Sequence, residues 1–180
     1  MTQQVFVTGG AGFIGSHVTD SLLSLGYRVK VFDNLSSGSL ANLQNAKKNK
    51  NFSFVQGDIS NYELLKKSME GSDFVSHHAA QLEIFLALDN PQLDLDVNTV
   101  GTLNVLKAAK STGVRKVVNI SSACIYGQST TATSEVFPPN PNWDYGVSKL
   151  AAEKYAQIYN DSKGLNTVSL RYGIVYGSRE

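Results

Sequence analysis

Short runs of apolar and β-branched residues alternate with longer amphipathic stretches along almost the whole chain. The short runs, at 5–7, 28–32, 52–55, 74–75, 116–120 and 167–170, are too brief for helices and read as buried strands. The long stretches, at 13–25, 61–69, 93–110 and 145–162, carry helical spacing and stop at Gly26, Gly71, Gly113 and Gly164. In 93–110 the predicted apolar face is Val97, Val100, Leu103, Val105 and Leu106. Parallel strands need crossovers, and helices supply them on both faces of a sheet. Right-handed crossovers then favour an α/β fold, a doubly wound parallel sheet in the order 3-2-1-4-5-6, with residues 1–180 as one domain. Residues 127–143 break the pattern. They hold Pro138, Pro139 and Pro141 and no periodicity, and a loop of that length in a compact domain is usually functional.

Composition excludes several classes. The formal net charge of +1 gives no basic surface for nucleic acid or membrane. No run approaches the ~20 apolar residues of a membrane span, and the first residues lack the pattern of a secretion signal. The single cysteine, Cys124, rules out an internal disulfide and a multi-cysteine metal site. A cytoplasmic protein is the expectation.

The first strand runs into Thr8-Gly9-Gly10-Ala11-Gly12-Phe13-Ile14-Gly15-Ser16. Such a glycine turn lets backbone approach a pyrophosphate, and the helix that follows aims unpaired N–H groups and its positive dipole end at the anion. By itself the turn is equally a plain strand-to-helix connection. The context adds an acid at the end of the second strand, Asp33, 18 residues after Gly15. A carboxylate at that place binds the adenosine ribose of a dinucleotide. It repels a 2′-phosphate, which points to NAD rather than NADP. Asp33 is also an ordinary strand-end residue, since Asn34 and Ser36-Ser37-Gly38 continue a loop.

Tyr145 and Lys149 stand at i and i+4 near the start of a helix and share a face. A nearby ammonium stabilises a phenolate and lowers its pKa, making tyrosine usable as a base near neutrality. A solvated surface pair would look the same. The segment Ser121-Ser122-Ala123-Cys124-Ile125-Tyr126-Gly127 closes the fifth strand, where ligands sit in open α/β sheets. A serine there can hydrogen-bond a substrate hydroxyl as it becomes a carbonyl. His77 and His78 are adjacent on a strand and point to opposite faces, so no metal site is expected from them.

Together, TGGAGFIGS, Asp33-Asn34-Leu35-Ser36-Ser37-Gly38, SSACIYG and Tyr145-Gly146-Val147-Ser148-Lys149 resemble the extended short-chain dehydrogenase/reductases. The nearest resemblance is to the NAD-dependent epimerase/dehydratase branch, in particular its UDP-glucose 4-epimerase-like members, and it spans essentially the whole chain. It implies a Rossmann-like cofactor domain. By match, Gly9, Gly12, Gly15 and the N–H groups of Phe13 and Ile14 would hold the pyrophosphate. Asp33 and Asn34 would bind the adenosine ribose, with Ser36, Ser37 and Gly38 beside them. Asp58 and Ile59 would flank the adenine, and His78, Ala79 and Ala80 would line the cleft. Asn98 would support the cofactor. Ser122 would be the catalytic serine, Tyr145 the base, and Lys149 its partner on the nicotinamide ribose.

The same resemblance implies a nucleotide-diphosphate sugar, a UDP-sugar above all, as substrate. Its chemistry would be hydride transfer to NAD, turnover of a keto sugar, and return of the hydride to the other face. Family dehydratases carry an Asp-Glu pair just after the catalytic serine or threonine; here Ala123 and Cys124 stand there, against dehydration. A reductase or decarboxylase of the same family and a non-enzymatic NAD-binding module remain alternatives. The family's Arg-Tyr-Phe-Asn on strand six reads Arg171-Tyr172-Gly173-Ile174, so the diphosphate-anchoring asparagine is replaced. Full members continue into a smaller substrate-gripping region, which the resemblance places after Glu180. Members also pair through helices matching 93–110 and 145–162, which implies a homodimer.

Overall fold

The computed structural model describes residues 2–82 and 90–180. Six parallel strands form one sheet in the order β3-β2-β1-β4-β5-β6, as the alternation of the sequence predicts. They are β1 (Gln4–Thr8), β2 (Arg28–Asp33), β3 (Phe52–Gln56), β4 (Phe74–His77), β5 (Lys116–Ser122) and β6 (Asn166–Tyr172). The register pairs Val5 with Val29 on one side and with Phe74 on the other, so β1 lies at the centre. Because all the strands are parallel, Thr8, Asp33, His77 and Ser122 reach the same edge, and the functional loops leave from it.

Each face of the sheet has its own core, and strand alternation divides them. Val5, Val7, Val29 and Val31 pack with Leu23 of α1 (Phe13–Ser24) and with Leu43 and Ala46 from two 3-10 turns. On the opposite face Phe6, Phe32, Val75 and Val117 meet three helices. These are α2 (Tyr62–Met69), α4 (Thr102–Ser111) and α5 (Asp144–Lys163), through Leu65, Met69, Val105, Leu106, Ala156 and Tyr159. Caps set the helix ends. Asn61 accepts from Leu64 N–H at 3.2 Å at the start of α2, and Gly164 (φ 66°) closes α5 in the left-handed region that favours glycine.

The stretch predicted as one helix over 93–110 is three pieces. A short α3 (Pro91–Asp94) runs into a π-helical segment, Leu95–Gly101, and then into α4. The Thr102 hydroxyl donates to the Asn98 carbonyl at 2.6 Å inside that segment. A π turn inserts an extra residue, so one apolar stripe cannot run through it. Val100, placed by periodicity on the buried face, is 46% exposed, while Val105 and Leu106 are fully buried.

Candidate functional site

The glycine turn is built to bring backbone close. Gly9 (φ 67°) and Gly15 meet so tightly that a Cβ on Gly15 would lie 2.1 Å from the Gly9 carbonyl oxygen. A Cβ on Gly9 would lie 2.4 Å from the Ala79 nitrogen, so the turn abuts the His78-Ala79-Ala80 segment that follows β4. Gly12, the N-cap of α1, gives the helix no side-chain cap, which leaves the Phe13, Ile14 and Gly15 N–H groups at the cleft. An uncapped helix start behind a glycine cradle fits a pyrophosphate.

Asp33 is buried. Its oxygens accept from the N–H groups of Ala11 (2.9 Å) and Leu35 (2.8 Å), which ties the end of β2 to the glycine turn. Asn34 donates to Asp58 at 2.6 Å and accepts from Ser36 N–H at 3.0 Å. Asp58 lies below the usual carboxylate range: burial alone would raise it, and hydrogen bonds from Ser60 and Asn34 lower it. Gly38 packs against Ala11, and Ser36 and Ser37 are exposed. Ile59 turns its side chain into the core against Gly101. The dinucleotide set is thus gathered along one edge, and it fits NAD by a cradle without Cβ atoms, an open helix start and an acid at the second strand.

At the other end, Ser122 closes β5 and its hydroxyl accepts from Cys124 N–H at 3.1 Å. Tyr145 stands near enough to Ser122 for the serine hydroxyl to favour its ionised form. One turn on, Lys149 is 5% exposed, and its Nζ makes no hydrogen bond among the described residues. Burial pulls its pKa down to about 8, opposed by the charge of Asp94. The expected lowering of the tyrosine is not what the protein alone produces. Burial pushes Tyr145 up to about 12; the nearby Ser122 hydroxyl pulls it down, and the charges of Cys124 and Asp94 add to the rise. Desolvation of the phenol outweighs what favours its ionised form.

Asn98, Asp94 and Ser148 form a buried knot beneath this pair. Asn98 exchanges hydrogen bonds with the Gln81 backbone, accepting at 2.9 Å and donating at 3.1 Å, and donates to Asp94 Oδ1 at 2.9 Å. Ser148 donates to Asp94 Oδ2 at 2.6 Å. Asp94 is raised above the usual carboxylate range, chiefly by burial. Sequence reasoning missed Asp94 and Ser148. Their visible signal is the i,i+4 spacing of Asp94 and Asn98, together with a serine inside the Tyr-x-x-x-Lys stretch.

The two histidines diverge as strand alternation requires. His77 takes Thr8 (2.6 Å) and Thr102 (2.9 Å), and His78 takes Ser76 (2.8 Å). Since Thr102 already donates to Asn98, the Nε2 of His77 carries the proton and Thr8 donates to Nδ1. Burial and the Lys149 charge lower His77 to about 3 and His78 to about 4, so both are neutral. Among the described residues no cluster of His, Cys, Asp and Glu could hold a metal. No described helix is long and apolar enough to cross a membrane.

Arg171 on β6 bonds Glu153 of α5 at 2.6 Å, and Glu153 accepts from Ser121 at 2.7 Å. Arg171 also reaches the Tyr126 hydroxyl and the Glu135 carbonyl, which fastens the 127–143 loop to β6. Ile174 is 97% exposed. Beyond it the chain returns to α1, where Arg179 pairs with Asp20 at 2.7 Å and His17 meets the Ser178 carbonyl at 2.9 Å.

Residues 5–180 match the model of the NAD dependent epimerase/dehydratase family. The UDP-glucose 4-epimerase of Mycolicibacterium smegmatis is 39% identical over 180 residues, covering 98% of this chain and 58% of that one. A putative UDP-glucose 4-epimerase of Methanocaldococcus jannaschii is 37% identical, covering 98% and 57%. The chain therefore spans little more than half the length of these curated relatives. Among solved structures, a Thermus thermophilus UDP-glucose 4-epimerase in complex with NAD superposes with a TM-score of 0.91 at 40% identity, covering 99% and 57%. The dTDP-glucose 4,6-dehydratase DesIV of Streptomyces venezuelae, with NAD bound, superposes with 0.95 at 32%, covering 99% and 58%. By sequence and by architecture, the chain belongs to the NAD dependent epimerase/dehydratase family.

Proposed function

We propose that this chain is the NAD-binding domain of a nucleotide-sugar 4-epimerase acting on a UDP-sugar. The observation that carries the reading is Tyr145 set near Ser122, with buried Lys149 one turn on, at the sheet edge that also holds the glycine turn. Gly9, Gly12, Gly15, Phe13 and Ile14 hold the pyrophosphate. Asp33, Asn34, Ser36, Ser37, Gly38 and Asp58 take the adenosine, with Ile59 anchoring that edge to the core; His78, Ala79 and Ala80 line the cleft onward, supported by Asn98 from the buried knot beneath. NAD, when bound, supplies a reversible hydride acceptor. Ser122 binds the sugar hydroxyl, Tyr145 takes its proton and returns it to the oxygen, and Lys149 donates to ribose and favours the phenolate. Tyr145 starts from a pKa near 12, so this step needs positive charge added beside the phenol.

Ala123 and Cys124, where dehydratases of the family carry an acidic pair, favour epimerisation over water elimination. Taken by themselves, these 180 residues, which span little more than half the length of the relatives, are expected to bind NAD(H) and to turn over nucleotide sugars slowly or not at all. Binding energy from the remote nucleotide would otherwise help to position the reacting carbon. The exposed apolar residues Val147, Tyr155 and Ile158 on α5, with Val100, suit pairing of two copies; a clean monomer by sedimentation rejects this.

The test is titration of the chain with NADH, followed by UDP-glucose and UDP-galactose interconversion with and without Tyr145→Phe. NADH binding with residual activity abolished by Tyr145→Phe supports the reading. No NADH binding, or an activity that survives Tyr145→Phe, defeats it. Turnover at rates usual for intact enzymes defeats the claim of a weak domain.

A further inference from the structure

Four acids near the site can be compared by what holds them. Glu153 is matched by Arg171 and Asp20 by Arg179, both through direct ion pairs. Asp33 is held by backbone N–H groups. Asp94, only 1% exposed, is held by the Ser148 hydroxyl and the Asn98 amide, neither of which carries charge. A carboxylate buried that deeply without a cation is expensive unless a positive charge lies within electrostatic reach.

The charge within reach is Lys149. Ser148 precedes it in the chain, and the Ser148 hydroxyl also lies 3.0 Å from the Tyr145 carbonyl. Asp94 is therefore pinned to the turn of α5 that carries both Tyr145 and Lys149. The other groups acting there give the ammonium no counter-charge. From the end of β4, His77 and His78 are neutral. On α5 itself Tyr145 is a neutral phenol, Asp144 acts on Asp94, and Glu153, four residues after Lys149, is matched by Arg171; after β5, Cys124 acts on Tyr145.

We propose that Asp94, fixed by Ser148 and Asn98, is a positioning residue that keeps Lys149 an ammonium at neutral pH and so sets the charge beside Tyr145. It rests on the reading of Lys149 as the partner of the base, but its test reads Lys149 directly. The same carboxylate also pushes the Tyr145 phenol up, so it holds the charged lysine while guarding against a premature phenolate.

The chain labelled with 13C-lysine and 13C-aspartate is titrated by NMR, with the Lys149 Cε signal identified by its loss in Lys149→Arg. The unsubstituted chain is expected to show a Lys149 midpoint near 8. In Asp94→Asn the midpoint falls by about one pH unit, roughly a tenfold loss of proton affinity, and Asp94→Glu restores it. A midpoint unmoved by Asp94→Asn overturns the proposal. Should circular dichroism show that Asp94→Asn does not fold, the unsubstituted chain decides. The Asp94 Cγ signal must inflect at the Lys149 midpoint, and a flat Cγ through that range overturns the proposal equally. NADH titration of the same sample tests the proposed function separately: failure to bind refutes that reading and leaves the Lys149 result standing.

Discussion

At the β2–β3 end of the cleft, Asp33 gives its two oxygens to Ala11 and Leu35 N–H groups, and Asn34 is tied to Asp58. At the β4–β5 end, the Lys149 side chain is largely buried and makes no hydrogen bond among the described residues. Tyr145 is pushed up to about 12, and Asp94 lies under them without an ion pair. In the first region the Asp33 carboxylate and the Asn34 amide already have partners within the chain. The second carries buried charge whose solvation is incomplete, and perturbed groups of this kind gather where chemistry is done. One end is preorganised by bonds already made, and the other is held ready by bonds not yet made.

The contrast breaks most severely at the glycine turn. In Gly15→Ala the new Cβ falls 2.1 Å from the Gly9 carbonyl oxygen and 2.9 Å from the Gly10 Cα, and both obstacles are backbone. We expect about 3 kcal/mol of lost stability or more, at the upper end of overpacking effects, and NADH affinity reduced at least about tenfold. Gly12→Ala is the control, because its Cβ meets only the Gly9 oxygen at 3.3 Å, so the chain should keep its fold. Thermal unfolding and NADH titration of both variants check this. Equal stability for the two would mean that the turn can yield, and that the binding end is not preformed.

The reactive end should reveal itself through pH. Lys149 binds its proton more weakly in the folded chain, with a pKa of about 8 against 10.5 for an ordinary lysine. Below 8 both states are protonated and the buried ammonium destabilises the fold. Between 8 and 10.5 only the unfolded chain holds the proton, so stability rises with pH. The rise should reach about 3 kcal/mol, from ~1.36 kcal/mol for each pH unit of displacement. Tyr145 acts in the opposite sense at higher pH, where the unfolded chain ionises first and stability falls again. Urea unfolding from pH 7 to 10 should show the rise in the unsubstituted chain and its loss in Lys149→Met. Parallel curves for the two would remove Lys149 as a buried charge.

How much of this was legible in the sequence follows the same division. Strand and helix alternation, the strand order and the glycine turn depend on local pattern, and β1, β2, β3 and α1 lie within a residue of where periodicity puts them. Asp33, Ser122, Tyr145 and Lys149 could be singled out because each sits at a fixed place in a local stretch. Asp94 was not, since an acid among leucines in a predicted helix, with Asp96 two residues on, reads as a solvated face. Its burial depends on Ser148, 54 positions away. The direction of the Tyr145 shift was missed for a related reason. The i,i+4 spacing shows the ammonium but not the desolvation, and desolvation dominates. The π segment is equally invisible to a 3.6-residue period, and Val100 is the residue that exposes the error.

The smallest expected effect concerns Leu35, where the binding end carries its own strain. Its φ of 63° lies in the left-handed region, which an L-residue with a Cβ enters at about 1 kcal/mol or somewhat more. Two things could hold it there: the hydrogen bond from its N–H to Asp33, and packing of its half-buried side chain against the α1-side core. Leu35→Gly separates them, because glycine relieves the strain and keeps the N–H while removing the packing. If the loop is held by bonds to Asp33, relief and lost packing nearly cancel. Stability then changes by less than about 1 kcal/mol and NADH affinity is retained. If Leu35→Gly instead loses about 3 kcal/mol, as a truncated core leucine would, the loop after β2 is held by its side chain. The satisfied carboxylate would then be a consequence of the loop rather than its cause, and the two ends of the cleft would differ less than their hydrogen bonds suggest.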